Sequence, residues 1–192
     1  YFWQWPSLHA PLLDRFARGD AKSQELNDIR GLLFGGRQEQ VFSGLKPLNQ
    51  YAWKSVAIKG RVLGGNLTVL NSSLGTPWQI EARDYIVFFE DINERPHRVD
   101  RMLVQLSQSG FFNQARAIVL GDFLLTQAKD RRLLWQDVWF RFAKEVRIPV
   151  FRGLPCGHGR LQRVLPLNTS AVLHCGKNGK LIVSAGSKGI ST

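Results

Sequence analysis

Two runs of four apolar residues rich in β-formers, Ile86-Val87-Phe88-Phe89 and Ala117-Ile118-Val119-Leu120, constrain this chain more than any other feature. Each is short and continuous, the pattern of a buried strand, and each hands over at once to acid-bearing polar residues: Glu90-Asp91 after the first, Gly121-Asp122 after the second. Between them Pro96 sits where a helix can begin, Val99, Met102, Leu103 and Leu106 recur at i, i+3, i+4 and i+7, and Gly110 closes the segment. Strand, amphipathic helix and strand in that order imply an α/β fold.

The flanks fill in around this centre. Leu26, Ile29, Leu32 and Leu33 at helical spacing predict an apolar-faced helix over 21–34, ended by Gly35-Gly36. Val56-Ala57-Ile58 reads as a strand, broken up beyond Ile58 by Gly60, Gly64 and Gly65, and residues 66–74 read as a short helix. Leu134, Val138, Phe142 and Val146, broadened by Trp135 and Trp139, predict a further helix. Pro149-Val150-Phe151 then leads into the glycine-flanked loop 153–159, and strand-like runs stand at 164–165, 171–173 and 181–183. Strand-rich ends around an alternating middle favour a mixed sheet over a doubly wound one.

With 192 residues and 44% apolar content the chain can bury a proper core. No run approaches the roughly 18 apolar residues that span a bilayer. Residues 1–20 lack a period, and Pro6 and Pro11 argue against regular structure there. The opening aromatics Tyr1, Phe2, Trp3 and Trp5, with no initiator Met before them, suggest a fragment or processed product whose first residues pack on something else. Cys156 and Cys175 form no disulfide framework, and a reducing compartment is the default. The formal charge of +11 would draw polyanions, but the basic residues are scattered. The densest cluster, Lys129-Asp130-Arg131-Arg132, reads first as a solvated face, so nucleic acid is an improbable partner.

Chemistry is expected where a rigid strand meets a loop. Two places fit: Glu90, after the first buried strand, and His158, in the glycine-flanked loop. A carboxylate beside an imidazole can fix its tautomer and stabilise the imidazolium formed when it takes a proton from a nucleophile. On pattern alone, a helix-capping role for Glu90 and a loop-tethering role for His158 are equally open. Cys156 reads as inert, Asp91 and Glu94 as solvated or helix-dipole acids, His97 and His174 as surface residues, and Asn66 as a helix N-cap or pocket residue.

Taken in order, Gly64-Gly65-Asn66-Leu67, Leu74-Gly75-Thr76-Pro77, the segment 89–96 (Phe89-Glu90-Asp91 through Pro96), Arg98-Val99-Asp100-Arg101-Met102-Leu103 and Gly157-His158 resemble the motifs of the LD-carboxypeptidase family. His9-Ala10-Pro11 is similar to that family's His-Gly-Pro segment near a domain junction, with Ala10 in place of Gly; the resemblance covers roughly residues 5–185. It implies a C-terminal domain of the swivelling β/β/α type over 41–192, an inter-domain connecting segment and helix over 1–40, and a separate N-terminal domain bearing a nucleophilic Ser in a Gly-x-Ser-Asp turn. No such turn occurs in this chain, so the fragment alone is expected to be inactive.

By the same resemblance Glu90 is the acid and His158 the general base of a serine peptidase. The implied enzyme removes the terminal D-residue from murein tetrapeptides, without metal or other cofactor, as a cytoplasmic homodimer in peptidoglycan recycling. Two rivals stay open: a same-fold immunity peptidase cleaving peptidyl-adenylate antibiotics, and a non-catalytic module binding an anionic polymer.

Overall fold

A computed structural model describes residues 5–124 and 132–185. Tyr1, Phe2, Trp3 and the cluster at 129–131 lie outside the described residues. The chain forms, in order, β1 (Ser7–His9), α1 (Leu13–Ala17), α2 (Ser23–Leu33), β2 (Glu39–Pro47), β3 (Ala57–Asn66), α3 (Leu67–Ser72), β4 (Tyr85–Ile92), α4 (Pro96–Gln108), β5 (Ala117–Leu124), α5 (Arg132–Glu145), β6 (Val150–Arg152), β7 (Leu165–Leu167), β8 (Ser170–His174) and β9 (Gly179–Ser184).

Seven strands close into a barrel in the order β2-β6-β5-β4-β3-β8-β9, with β9 pairing back onto β2. Strands β3, β4, β5 and β6 run parallel to one another and are joined through α3, α4 and α5; the remaining pairings are antiparallel. The mixed sheet and α/β class expected from the sequence are therefore present, as a closed sheet. A separate two-stranded ribbon pairs β1 with β7, setting His9 opposite Leu165.

The buried runs supply both faces of this wall. On β4, Ile86 and Phe88 point into the barrel with Phe42, Val119, Phe151 and Leu181, while Val87 and Phe89 pack outward under the helices with Leu67, Val99, Leu103 and Phe142. A strand sandwiched this way can be apolar throughout, because its two-residue period feeds two cores at once. Helix α4 behaves as its stripe requires: Val99, Met102, Leu103 and Leu106 are buried, Pro96 occupies the first turn, and Gly110 ends the run at φ 77°.

Three expectations are corrected, and one strand carried no signal. Gly60, Gly64 and Gly65 do not interrupt β3, which runs through all three. At Gly64, φ is 144° and an added Cβ would overlap the Phe88 carbonyl, so glycine is what lets β3 lie along β4. Strand β2 was not signalled as one long element, because its buried positions Gln40, Phe42 and Leu45 are thrown out of alternation by a register shift between Ser43 and Leu45. Segment 5–20 is partly regular, with β1 standing between Pro6 and Pro11 and α1 following.

Helix α2 forms within the predicted span, but two acids share its inward face with the half-buried Ile29 and Leu32. Its buried residues are Glu25 and Asp28, whereas Leu26 and Leu33 are exposed. The acids go inside because arginines meet them there. Arg15 reaches Glu25 with two hydrogen bonds of 3.1 Å, Arg37 reaches Asp28 at 2.7 Å, and Arg163 forks onto both Asp28 oxygens.

Candidate active site

The strand period places the first acid. Glu90 follows Ile86 and Phe88 in phase at the inner face of β4, and its side chain is 2% exposed. Asp91 belongs to the outer face and points to α3, where its carboxylate accepts from the Thr68 amide at 3.0 Å, the Thr68 hydroxyl at 2.8 Å and the Asn66 amide group at 3.1 Å. Asp91 is thus buried at a helix N-terminus, which supports the helix-dipole expectation for it and excludes the solvated one. Asn66 caps α3, its oxygen accepting from the Val69 amide at 3.1 Å, and stands opposite Glu90 in the β3–β4 register. Glu94 pairs with Arg98 at 2.9 Å, and its other oxygen lies 3.5 Å from the same Thr68 hydroxyl that Asp91 holds.

His158 is brought to Glu90 from 68 residues away, with Nδ1 at 2.7 Å from Oε2. Its loop is fastened along its length. The Gly159 amide donates to Asp122 at 2.9 Å, the Gln162 amide to Glu25 at 2.7 Å, the Arg15 guanidinium to the Arg160 carbonyl at 2.8 Å, and the Arg163 side chain to Asp28. Among the described residues the other ring nitrogen, Nε2, has no protein hydrogen-bond partner.

A third group joins them. His9 on β1 places Nε2 3.8 Å from the second Glu90 oxygen, and its ring sits edge-on to Phe88 at 5.1 Å. The carboxylate is therefore flanked by two imidazoles. Sequence reading marked His9 only as part of a junction motif, and the signal that could have promoted it was that motif itself. Ala10 beside it has no positive φ, so the departure from Gly brings no left-handed backbone strain there. Cys156 lies in the barrel core, where burial pushes its thiol well above the usual range, as an inert Cys requires. His97 and His174 are exposed and lie outside this cluster.

The electrostatics follow from burial and neighbours. Burial alone would raise the Glu90 pKa, but the imidazoles of His9 and His158 outweigh it and hold the carboxyl below its ordinary value. Asp122 is shifted the other way: burial and the nearby Glu90 charge exceed the help of the Gly159 amide and His158. The site thus holds a carboxyl kept below its ordinary pKa against the Nδ1 side of the His158 ring. Among the described residues no group of three or more His, Cys, Asp or Glu side chains is arranged to hold a metal ion.

Residues 59–173 match the family model described as the LD-carboxypeptidase C-terminal domain, which is more than half of the chain and includes both Glu90 and His158. This chain belongs to the LD-carboxypeptidase family. Among solved structures, the muramoyltetrapeptide carboxypeptidase of Oxalobacter formigenes superposes with a TM-score of 0.79 at 32% identity, over 93% of this chain and 60% of that one. The murein tetrapeptide carboxypeptidase of Pseudomonas aeruginosa is 31% identical over 66% of this chain and 42% of its own length. The microcin C7 self-immunity protein MccF of Escherichia coli is 28% identical over 60% of this chain and 34% of its own. Like these, the other LD-carboxypeptidase relatives are longer: the chain spans about half the length of the curated relatives it matches.

Proposed function

We propose that this chain supplies the acid and the base of a serine-type LD-carboxypeptidase, which hydrolyses the amide between an L-centre and the terminal D-amino acid of a murein tetrapeptide. The observation that carries the reading is the 2.7 Å contact between His158 Nδ1 and the buried, ionised Glu90 carboxylate. With Nδ1–H donated to Glu90, Nε2 is the free base. In this reading Nε2 takes the proton of a serine hydroxyl as its oxygen attacks the peptide carbonyl carbon. The C–N bond then breaks, the same nitrogen protonates the departing amine of the D-residue, and a water activated in the same way releases the acyl group.

The serine belongs to an upstream α/β nucleophile domain, with residues 1–40 as the connecting segment and 41–192 as the swivelling β/β/α-type domain. Two facts support a further domain beside this chain. The relatives are about twice as long, and large apolar side chains stand exposed between Trp5 and Phe34, where a neighbouring domain would cover them. Asn66, in register with Glu90, is the candidate substrate contact, although its oxygen caps α3 and its amide nitrogen donates to Asp91. Homodimerisation and a cytoplasmic location complete the proposal; no described helix is long and apolar enough to cross a membrane.

The test is D-alanine release from a murein tetrapeptide by this 192-residue chain and by a polypeptide extended upstream to include a Gly-x-Ser-Asp turn. Release only by the extended form is the expected result. Release of an aminoacyl group from a peptidyl-adenylate instead would favour the immunity-type substrate, and silence on both, with polyanion binding that weakens steeply in salt, would replace the peptidase with a binding module.

A further inference from the structure

We infer that Asp122 is a positioning residue for His158, bracketing the loop that carries it from both sides and so setting the imidazole against Glu90; this rests on the peptidase reading above. Asp122 lies on β5 at the bulge where Gly121 and Asp122 together stand opposite Glu90, and its main chain and side chain grip the loop on opposite flanks of the histidine. Its amide donates to the Cys156 carbonyl at 2.9 Å, two residues before His158. Its Oδ2 accepts from the Gly159 amide at 2.9 Å, one residue after it. A loop pinned at positions 156 and 159 leaves its intervening side chain little freedom, which is how a reactive group is held in register by its supports.

The two glycines around His158 are shaped to this bracket. Gly157 has φ 124°, and a Cβ there would stand 3.0 Å from the Glu90 Cβ and 3.2 Å from the Asp122 Cβ. Gly159 has no unusual φ, and its chain direction would suit any residue. What it lacks is space, because a Cβ would come within 2.5 Å of Asp122 Oδ2. The three atoms nearest to that position all belong to the Asp122 carboxylate, which accounts for the glycine at 159.

Charge makes the same point from another side. Placing a second carboxylate beside buried Glu90 raises the Asp122 pKa through burial and through Glu90, so at neutral pH its ionised form opposes folding. A residue kept for stability alone would be better as a neutral acceptor of the same shape. What the charged form adds is a negative potential at the imidazole, which favours the imidazolium during proton transfer.

The test combines Asp122→Asn, Asp122→Ala, Gly159→Ala and the Asp122→Ala/Gly159→Ala double variant. In the full polypeptide we expect Asp122→Asn, which keeps an acceptor oxygen, to lower kcat about tenfold with KM unchanged, and Asp122→Ala to lower it about a hundredfold. Gly159→Ala should be damaging in the parent and add little once Asp122 is Ala, since the clash has been removed. The Asn variant should also unfold no earlier than the parent at pH 7. Full activity in a folded Asp122→Ala variant, or Gly159→Ala effects that simply add, would overturn the assignment.

A second readout needs no activity. In the 192-residue chain the low-field Nδ1 proton of His158, visible when bonded to Glu90, should survive in Asp122→Asn and disappear in Asp122→Ala. If it persists in the Ala variant the bracket does not position the ring, whatever the enzyme's substrate proves to be. If it vanishes while the parent polypeptide releases no D-residue, positioning stands and the peptidase reading fails.

Discussion

At the scale of single residues, the site depends on one carboxylate oxygen meeting one ring nitrogen. In the proposed mechanism, Glu90→Gln removes the charge that stabilises the imidazolium and lets the amide NH2 donate to Nδ1, which selects the wrong imidazole tautomer, and His158→Ala removes the base. In the full polypeptide each should lower kcat by a factor of about a hundred or more, with unfolding midpoints close to the parent. Parent-like turnover in either variant would remove the triad assignment. Gly64 makes a purely structural counterpart. Gly64→Ala should destabilise by about 3 kcal/mol or more, because the added methyl meets the Phe88 carbonyl and the φ of 144° disfavours any side chain. Urea unfolding of the two chains measures this, and equal midpoints would show that β3 can shift away from β4.

Much of this was legible locally. The end of a buried strand pointed to Glu90, and the glycine-flanked loop to His158. His9 was not separable from its motif, because a lone histidine between two prolines carries no period and no local partner. Its relevance comes from the β1–β7 ribbon, which no short-range pattern encodes.

At the scale of elements, α2 is the informative failure. A stripe of Leu26, Ile29, Leu32 and Leu33 predicts an inward apolar face; Ile29 and Leu32 are only half-buried, Leu26 and Leu33 are exposed, and the fully buried residues are Glu25 and Asp28. Amphipathic reasoning fails when the partners of an acid lie far along the chain, here Arg163 at 135 residues from Asp28 and the Gln162 amide at 137 residues from Glu25. By contrast, β4, α4 and β5 were read well because each buries its residues at its own period. The α2 acids fasten the far end of the His158 loop, so Asp28→Asn should cost about 3 kcal/mol, as when one member of a buried ion pair is removed. A loss below about 0.5 kcal/mol in urea titrations would reduce that contact to the level of a surface pair.

The same acids set a pH dependence. For both, burial raises the pKa but is outweighed: for Glu25 by Arg15 and the Gln162 and Lys22 amides, and for Asp28 by Arg163 and Arg37, so each ends below its ordinary value. A depressed folded pKa gives stability that is present above the unfolded pKa of about 4 and is lost as pH falls through the lower folded value. The parent should therefore weaken steeply below about pH 4, and Asp28→Asn should show a shallower decline over the same range. Parallel curves for the two proteins would contradict the linkage.

At the scale of the whole molecule, the α/β class and mixed sheet were legible in alternating and strand-rich segments, but closure was not. Closure rests on β9 meeting β2, and β2 hides its alternation behind a bulge and a buried glutamine. The outer surface near the start of the described chain is apolar, with Leu13 at 82% and Phe34 at 84% exposure. The 192-residue chain should therefore bind a hydrophobic dye, and an upstream-extended polypeptide should bind several-fold less. Equal dye binding by both would mean that this surface faces something other than the nucleophile domain.

Barrel closure also has a consequence in time. Phe42 on β2 finds its partner Leu181 on β9 only after nearly the whole described chain has been made, and a contact of such sequence separation forms slowly. Until then β2 waits on a nascent chain with an open strand edge, a template for pairing with the wrong neighbour. Ribosomes stalled before β9 should therefore yield sticky, protease-sensitive products.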